Sequence, residues 1–144
     1  MKSRIIGIDF DGTCVTHDFP KVGKDIGAAP VLKKLVDEGH RLILFTMRSN
    51  RINPQSSEYD VVAKGGAYLT EAILWFHTNN IPLWGVNENP EQSDWTDSPK
   101  PYCHLYIDDA ALGCPLIYDP LISYRPFVDW VKAEEMLKEK GFFK

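Results

Sequence analysis

The sequence has little of what a membrane, secreted or polyanion-gripping chain would need. No apolar run approaches the roughly 20 residues required to cross a bilayer. The apolar stretch Ile5 to Ile8 is broken by Gly7 and stopped by Asp9, so a secretory leader is not expected. Cysteines number three, Cys14, Cys103 and Cys114. Three thiols cannot all pair within one chain, and their spacing fits no zinc framework. Free thiols in a cytoplasmic protein are the expectation. Cations are also in deficit: 16 Lys and Arg stand against 20 Asp and Glu, for a formal net charge of −4, and they are scattered. A grip on long nucleic acid through many phosphate contacts is therefore not expected. Repeats, low-complexity tracts and linkers are absent. A chain of 144 residues, 44% hydrophobic and 25% charged, suits one globular domain over residues 1–144.

What is present is an alternation of strands and helices. Arg4 to Phe10 is a β-branched run that reads as a buried strand ending in a carboxylate. Residues 12–27 carry Gly, Pro and Asp and read as loop or a small hairpin. Val31, Leu32, Leu35 and Val36 recur at helical spacing between Pro30 and Gly39. Further strands are expected at 41–46, 81–86 and 105–107, with a fifth short run at 116–118. A helix is expected over 66–78, ended by Asn79-Asn80. A last one is expected over 127–140, with Phe127, Trp130, Val131 and Leu137 inward. This order predicts an α/β fold: a three-layer, Rossmann-like parallel sheet with helices on both faces. Asp9, Thr46 and Asp108 each follow an apolar strand, so one sheet edge collects the polar residues. That is the edge where such folds bind ligands.

The sharpest local signal is Asp9-Phe10-Asp11-Gly12-Thr13. An Asp-Gly pair alone describes many turns. A buried strand running straight into two acids is different, because stacked negative charge is costly unless a cation or proton offsets it. Singly, Thr46 reads as a backbone-capping hydroxyl, Lys100 as a solvated loop lysine and Asp108-Asp109 as a turn pair. Trp75, Phe76, Trp84 and Trp130 read as packing rather than a stacking platform. His17, in the loop after the first motif, carries no assigned role.

Taken in order, these residues resemble the four motifs of the haloacid dehalogenase superfamily of phosphatases. Asp9, Asp11, Gly12 and Thr13 match the DxDGT motif after strand one, and Thr46 matches the hydroxyl residue ending strand two. Lys100 best matches the lysine before strand four, with Lys64 as its rival, and Asp108-Asp109 matches the closing acidic pair. The resemblance implies a magnesium-dependent phosphomonoester hydrolase. Mg2+ would be held by the Asp9 side chain, the Asp11 carbonyl and an acid from Asp108-Asp109. Asp9 would be the nucleophile and Asp11 the general acid and base, with Thr46 and Lys100 holding phosphoryl oxygens. Gly12 and Thr13 would be substrate-binding, with Gly12 letting the backbone turn sharply so that both acids face one site. Arg48, in a Thr-x-Arg pattern similar to polynucleotide 3′-phosphatases, would either bind a second substrate anion or cap the loop at the surface.

A signalling receiver domain uses similar residues without being an enzyme. In that class, however, the acidic pair follows the first strand and the lone phosphorylated Asp comes later, the reverse of the order here. About sixteen residues separate Asp11 from the first expected helix, and about thirteen separate Val86 from Lys100. Neither gap can bury a core of its own, so no cap domain is expected over the site. In this superfamily an uncapped site goes with substrates too large to enclose, or with oligomers that cover the site from a neighbour. A phosphorylated small molecule, a nucleotide or a nucleic-acid end is the expected substrate class.

Overall fold

A computed structural model describes residues 2–50 and 66–144. Its central sheet has four strands, β1 (Ile5–Ile8), β2 (Arg41–Leu44), β3 (Gly85–Val86) and β4 (Leu105–Ile107). They lie in the order β3-β2-β1-β4 and all neighbours are parallel. Among the described residues three helices flank the sheet, α1 (Ala28–Asp37), α2 (Tyr68–Thr78) and α3 (Trp130–Glu139). The α/β class and the parallel, Rossmann-like sheet are as expected from the alternation. No separately folded cap stands among the described residues, and none of the described helices is long and apolar enough to cross a membrane.

Strand order places the chemistry. The chain runs outward from β1 through β2 to β3, then returns to lay β4 on the other side of β1. The reversal point therefore lies between the carboxyl ends of β1 and β4, where a crevice opens in folds of this kind. Asp9 follows the first of these strands and Asp108 the second.

Alternation along the strands sorts their side chains into two faces. Ile6 and Ile8 lie in register with Leu42 and Leu44. These four are fully buried and share one core with Leu32 and Leu35 of α1, Ala72 and Phe76 of α2, and Trp130 and Leu137 of α3. The opposite row reads Gly85, Ile43, Gly7 and Tyr106 across the sheet. Two glycines in that row let other groups approach closely. A Cβ on Gly7 would sit 2.9 Å from Tyr106 Cδ1 and 3.0 Å from Cys103 Sγ. Gly7→Ala is therefore expected to destabilise the protein by about 1–3 kcal/mol, the usual range for overpacking. Urea unfolding measures it, and a change inside 0.5 kcal/mol, about the size of a neutral surface substitution, would mean the row gives way freely.

Boundaries differ from the sequence expectation in two places. The 81–86 run is a strand only at Gly85–Val86. Ile81 is instead tied to the end of α2, its N–H donating to the Phe76 carbonyl at 2.9 Å. Near the C-terminal end, Phe127–Val128 form β6, which pairs antiparallel with β5 (Leu116–Ile117) outside the main sheet. The helix begins only after Asp129, whose carboxylate accepts the Lys132 N–H at 3.1 Å. In this helix Trp130, Ala133 and Leu137 form the buried stripe, and Val131 lies off it, 76% exposed, rather than inward. Helix α2 has no side-chain cap of its own. Asn50 supplies one from the preceding segment, its Oδ1 accepting the Thr70 N–H at 3.1 Å.

Candidate active site

The chain leaves β1 by a tight turn that the rest of the protein holds in place. The Phe10 carbonyl accepts the N–H groups of Thr13 and Cys14 at 3.1 and 2.8 Å. Gly12 has φ +81°, a left-handed conformation that glycine adopts without strain. It also leaves space, since a Cβ there would lie 2.0 Å from His17 Nε2 and 2.7 Å from Asp109 Oδ2. Two bonds from distant elements pin the turn. The Trp130 indole N–H donates to the Thr13 carbonyl at 2.7 Å, and the Val128 N–H donates to the Gly12 carbonyl at 3.0 Å.

Asp9, Asp108 and Asp109 each present a carboxylate oxygen within 4.8 Å of the other two. The Thr13 hydroxyl stands between two of them, 3.0 Å from Asp9 Oδ2 and 3.1 Å from Asp109 Oδ1, while accepting the Asp109 N–H at 3.0 Å. Its single proton serves one carboxylate at a time. His17 Nε2 lies 2.8 Å from Asp109 Oδ2. Both Asp109 oxygens are thus engaged, whereas Asp108 Oδ1 accepts the Ala110 N–H at 2.8 Å. Burial, the neighbouring Asp109 and the charge of Asp108 push Asp9 up to about 8, against weaker help from the Phe10 backbone and Thr13. Three carboxylates so placed favour a shared proton or a neighbouring cation.

Asp11 lies outside that trio. Both its oxygens are taken by Arg48, at 2.8 Å from Nε and 2.8 Å from a terminal nitrogen. The same guanidinium donates to the carbonyls of Lys21 at 2.7 Å and Tyr68 at 3.2 Å, and lies over the rings of Phe10 and Phe19. Arg48 is 3% exposed. The surface reading is corrected by this: Arg48 is buried, and its guanidinium is engaged by Asp11 and by backbone carbonyls. A planar fork meets a carboxylate and a ring of carbonyls at once, and that demand buries it.

Thr46 does what its local sequence suggests, its hydroxyl accepting the Arg48 N–H at 3.1 Å while its own N–H donates to Asn87 Oδ1 at 2.8 Å. Lys100 is exposed, with its ammonium 5.4 Å from the centre of the Tyr106 ring. Its charge acts on Cys103, before β4, and among the described residues it forms no ion pair with the three acids. Lys64 lies outside the described residues. All three cysteines are free. Burial raises each thiol above its usual range, Cys103 to about 11, so none is poised as a nucleophile.

His17 was invisible from its neighbours in sequence; the only signal is a histidine in the loop that follows an acidic motif. Arg48 carried a local signal, but its partner did not.

The fold and site define an α/β protein with an acidic cluster at the switch point of a parallel sheet. No family model matches the chain, and no curated protein matches it. Among solved structures, a conserved protein from Bacteroides thetaiotaomicron superposes with a TM-score of 0.69 at 32% identity, over 96% of this chain and 93% of that one. The chain belongs to the same family as that conserved protein.

Proposed function

We propose that the protein is a cytoplasmic, Mg2+-dependent phosphomonoester hydrolase of the haloacid dehalogenase type, working through an aspartyl phosphate on Asp9. The observation that carries this reading is the gathering of Asp9, Asp108 and Asp109 within 4.8 Å at the strand switch point. Three hard oxygen donors suit a small divalent cation, and the proton that Asp9 otherwise retains marks the charge such an ion would offset. Asp9 and Asp108 would hold the ion directly. Asp109, with both oxygens engaged by Thr13 and His17, would orient the site. When bound, Mg2+ supplies charge neutralisation for a dianionic phosphate.

The residues then divide the work. An Asp9 oxygen forms a bond to phosphorus as the ester P–O bond breaks, and Asp11 gives the departing oxygen a proton. Water next attacks phosphorus, the Asp9–phosphorus bond breaks, and Asp11 takes the proton back. An oxygen that carries a proton accepts more weakly from Arg48, so one of the two Arg48 bonds weakens during each turnover. The Thr46 hydroxyl accepts from Arg48 N–H, which leaves its own hydrogen for a phosphoryl oxygen. By the same resemblance, the Lys100 ammonium would hold another phosphoryl oxygen.

Hydrolysis is tested by screening phosphorylated metabolites, nucleotides and 3′-phosphorylated oligonucleotides with and without Mg2+. No turnover of any of them would sink the proposal, and full activity in EDTA would remove the metal from it. Metal binding gives a separate expected result. Since Asp9 holds its proton up to about pH 8, Mg2+ must displace it, and apparent affinity should rise by up to about tenfold per pH unit below that value. Calorimetry in buffers of different ionisation enthalpy would show the released proton at pH 6.5 and little release at pH 9. Asp108→Ala should weaken Mg2+ binding far more than Asp109→Ala; the opposite order would reverse their roles.

A further inference from the structure

The chain leaves β3 by a turn that reaches back to the neighbouring strand. Gly85 makes room for it, since a Cβ there would lie 2.3 Å from the Glu88 carbonyl oxygen. Asn87 adopts φ +55°, a left-handed conformation that asparagine tolerates better than most residues. Its N–H donates to the Leu44 carbonyl at 2.7 Å, and its Oδ1 accepts the Thr46 N–H at 2.8 Å. One residue thus grips the end of β2 on either side of Phe45. The first grip only extends the main-chain ladder between β2 and β3. The second is made by a side chain, and the ladder does not require it.

What the second grip does follows from the bonds beyond it. The Thr46 hydroxyl accepts the Arg48 N–H at 3.1 Å, and the Arg48 guanidinium holds both oxygens of Asp11. Asn87, Thr46, Arg48 and Asp11 therefore form one hydrogen-bonded line from the end of β3 to the turn after β1. With its N–H held at one end of Thr46 and its oxygen at the other, the hydroxyl hydrogen is the one donor Thr46 has left. We propose that Asn87 is a positioning residue for phosphoryl transfer, aiming the Thr46 hydroxyl at a phosphoryl oxygen and steadying Asp11 through Arg48. The proposal rests on the phosphohydrolase reading and adds to it a residue outside the four motifs. A donor held in advance stabilises charge that develops in the transition state, so the contribution of Asn87 falls on kcat rather than KM.

Asn87→Gly tests this, because glycine accepts the positive φ without strain and only the amide is lost. The rest of the segment keeps its own staple, the buried Gln92 side chain, which donates to the carbonyls of Ser98 and Lys100 at 3.1 and 3.0 Å. With p-nitrophenyl phosphate or the best ester of the screen, kcat should fall about 10- to 100-fold, the range for losing a group that orients a site residue. KM should move little, and Asn87→Asp, which keeps an acceptor, should restore most of kcat. Asn87→Ser, one bond shorter than the amide, repeats the comparison should the glycine variant misfold. Thr46→Ala lacks the hydroxyl that Asn87 aims, so adding Asn87→Gly to it should lower kcat by less than about twofold. Additive losses, an unchanged kcat in the single variant, or an aspartate no better than glycine would overturn the role. If the parent hydrolyses no ester, the phosphohydrolase reading fails by itself. Calorimetry with orthovanadate and Mg2+, a mimic of five-coordinate phosphorus, then decides the role of Asn87. Weaker binding by Asn87→Gly that Asn87→Asp restores supports it; equal affinities, or no binding by the parent, refute it.

Discussion

Asp9→Asn is expected to abolish turnover and at the same time make the metal-free protein more stable. Loss of a nucleophile that works as part of a unit typically removes about 10⁴- to 10⁶-fold in rate. Stability moves the other way because asparagine keeps the shape and the acceptor for Thr13 while removing a carboxylate that burial, Asp109 and Asp108 all disfavour. The direction with pH follows from the raised value. The folded protein binds the Asp9 proton more tightly than the unfolded chain, so this contribution to stability is complete below the ordinary value of 3.8 and is lost as pH rises toward about 8. In EDTA the variant should therefore gain least near pH 4 and most at pH 8, where an advantage of about 1–3 kcal/mol is expected for relieving a poorly solvated charge. Added Mg2+ should stabilise the parent and leave the variant nearly unmoved. Thermal melts across pH, with and without the ion, measure all of this. A variant less stable than the parent at pH 8 would show that the trio is not strained by its charge.

The second large effect belongs to Arg48. Arg48→Ala removes both partners of Asp11 together with the donors to the Lys21 and Tyr68 carbonyls. Breaking a buried pair by deleting one member costs about 3–5 kcal/mol, because the other charge is left uncompensated. Arg48→Lys should recover only part of this, since an ammonium is a single point where the site asks for a fork. Catalysis should suffer through kcat more than KM, as Asp11 loses its aim before any substrate contact is lost. Urea unfolding and steady-state kinetics report the two effects, and a loss under 0.5 kcal/mol would show that water replaces the guanidinium freely.

The parts of this molecule that could be read from sequence are those whose cause is local. β1, β2 and β4 follow apolar runs, β-branched in β1, and Asp9 and Asp108 stand where the first and last of those runs stop. The 127–140 stretch shows how a local cause can be mistaken: its apolar spacing is helical throughout, yet Asp129 caps the backbone and strand pairing claims Phe127 and Val128. The site divides in the same way. The DxDGT turn is a matter of adjacent residues, so it was visible. His17 meets Asp109 across 92 positions and Arg48 meets Asp11 across 37. Each pairing exists only because the sheet brings two strand ends together, and no periodicity encodes it. Gln92 gave no signal either, since a buried amide stapling a loop has the same letter as one in water.

The bond from the Trp130 indole to the Thr13 carbonyl spans 117 positions, and that separation has a consequence during synthesis. The acidic turn is made well before its anchor. At about 5–20 residues per second the turn waits roughly 6–23 s for its anchor. Through that interval the first two acids stay hydrated, and no half-built pocket has to accommodate their charge. The trio can form only once β4 has been made, and its turn is pinned only when α3 follows, so the nascent chain gathers the three charges only after the strands that hold them exist.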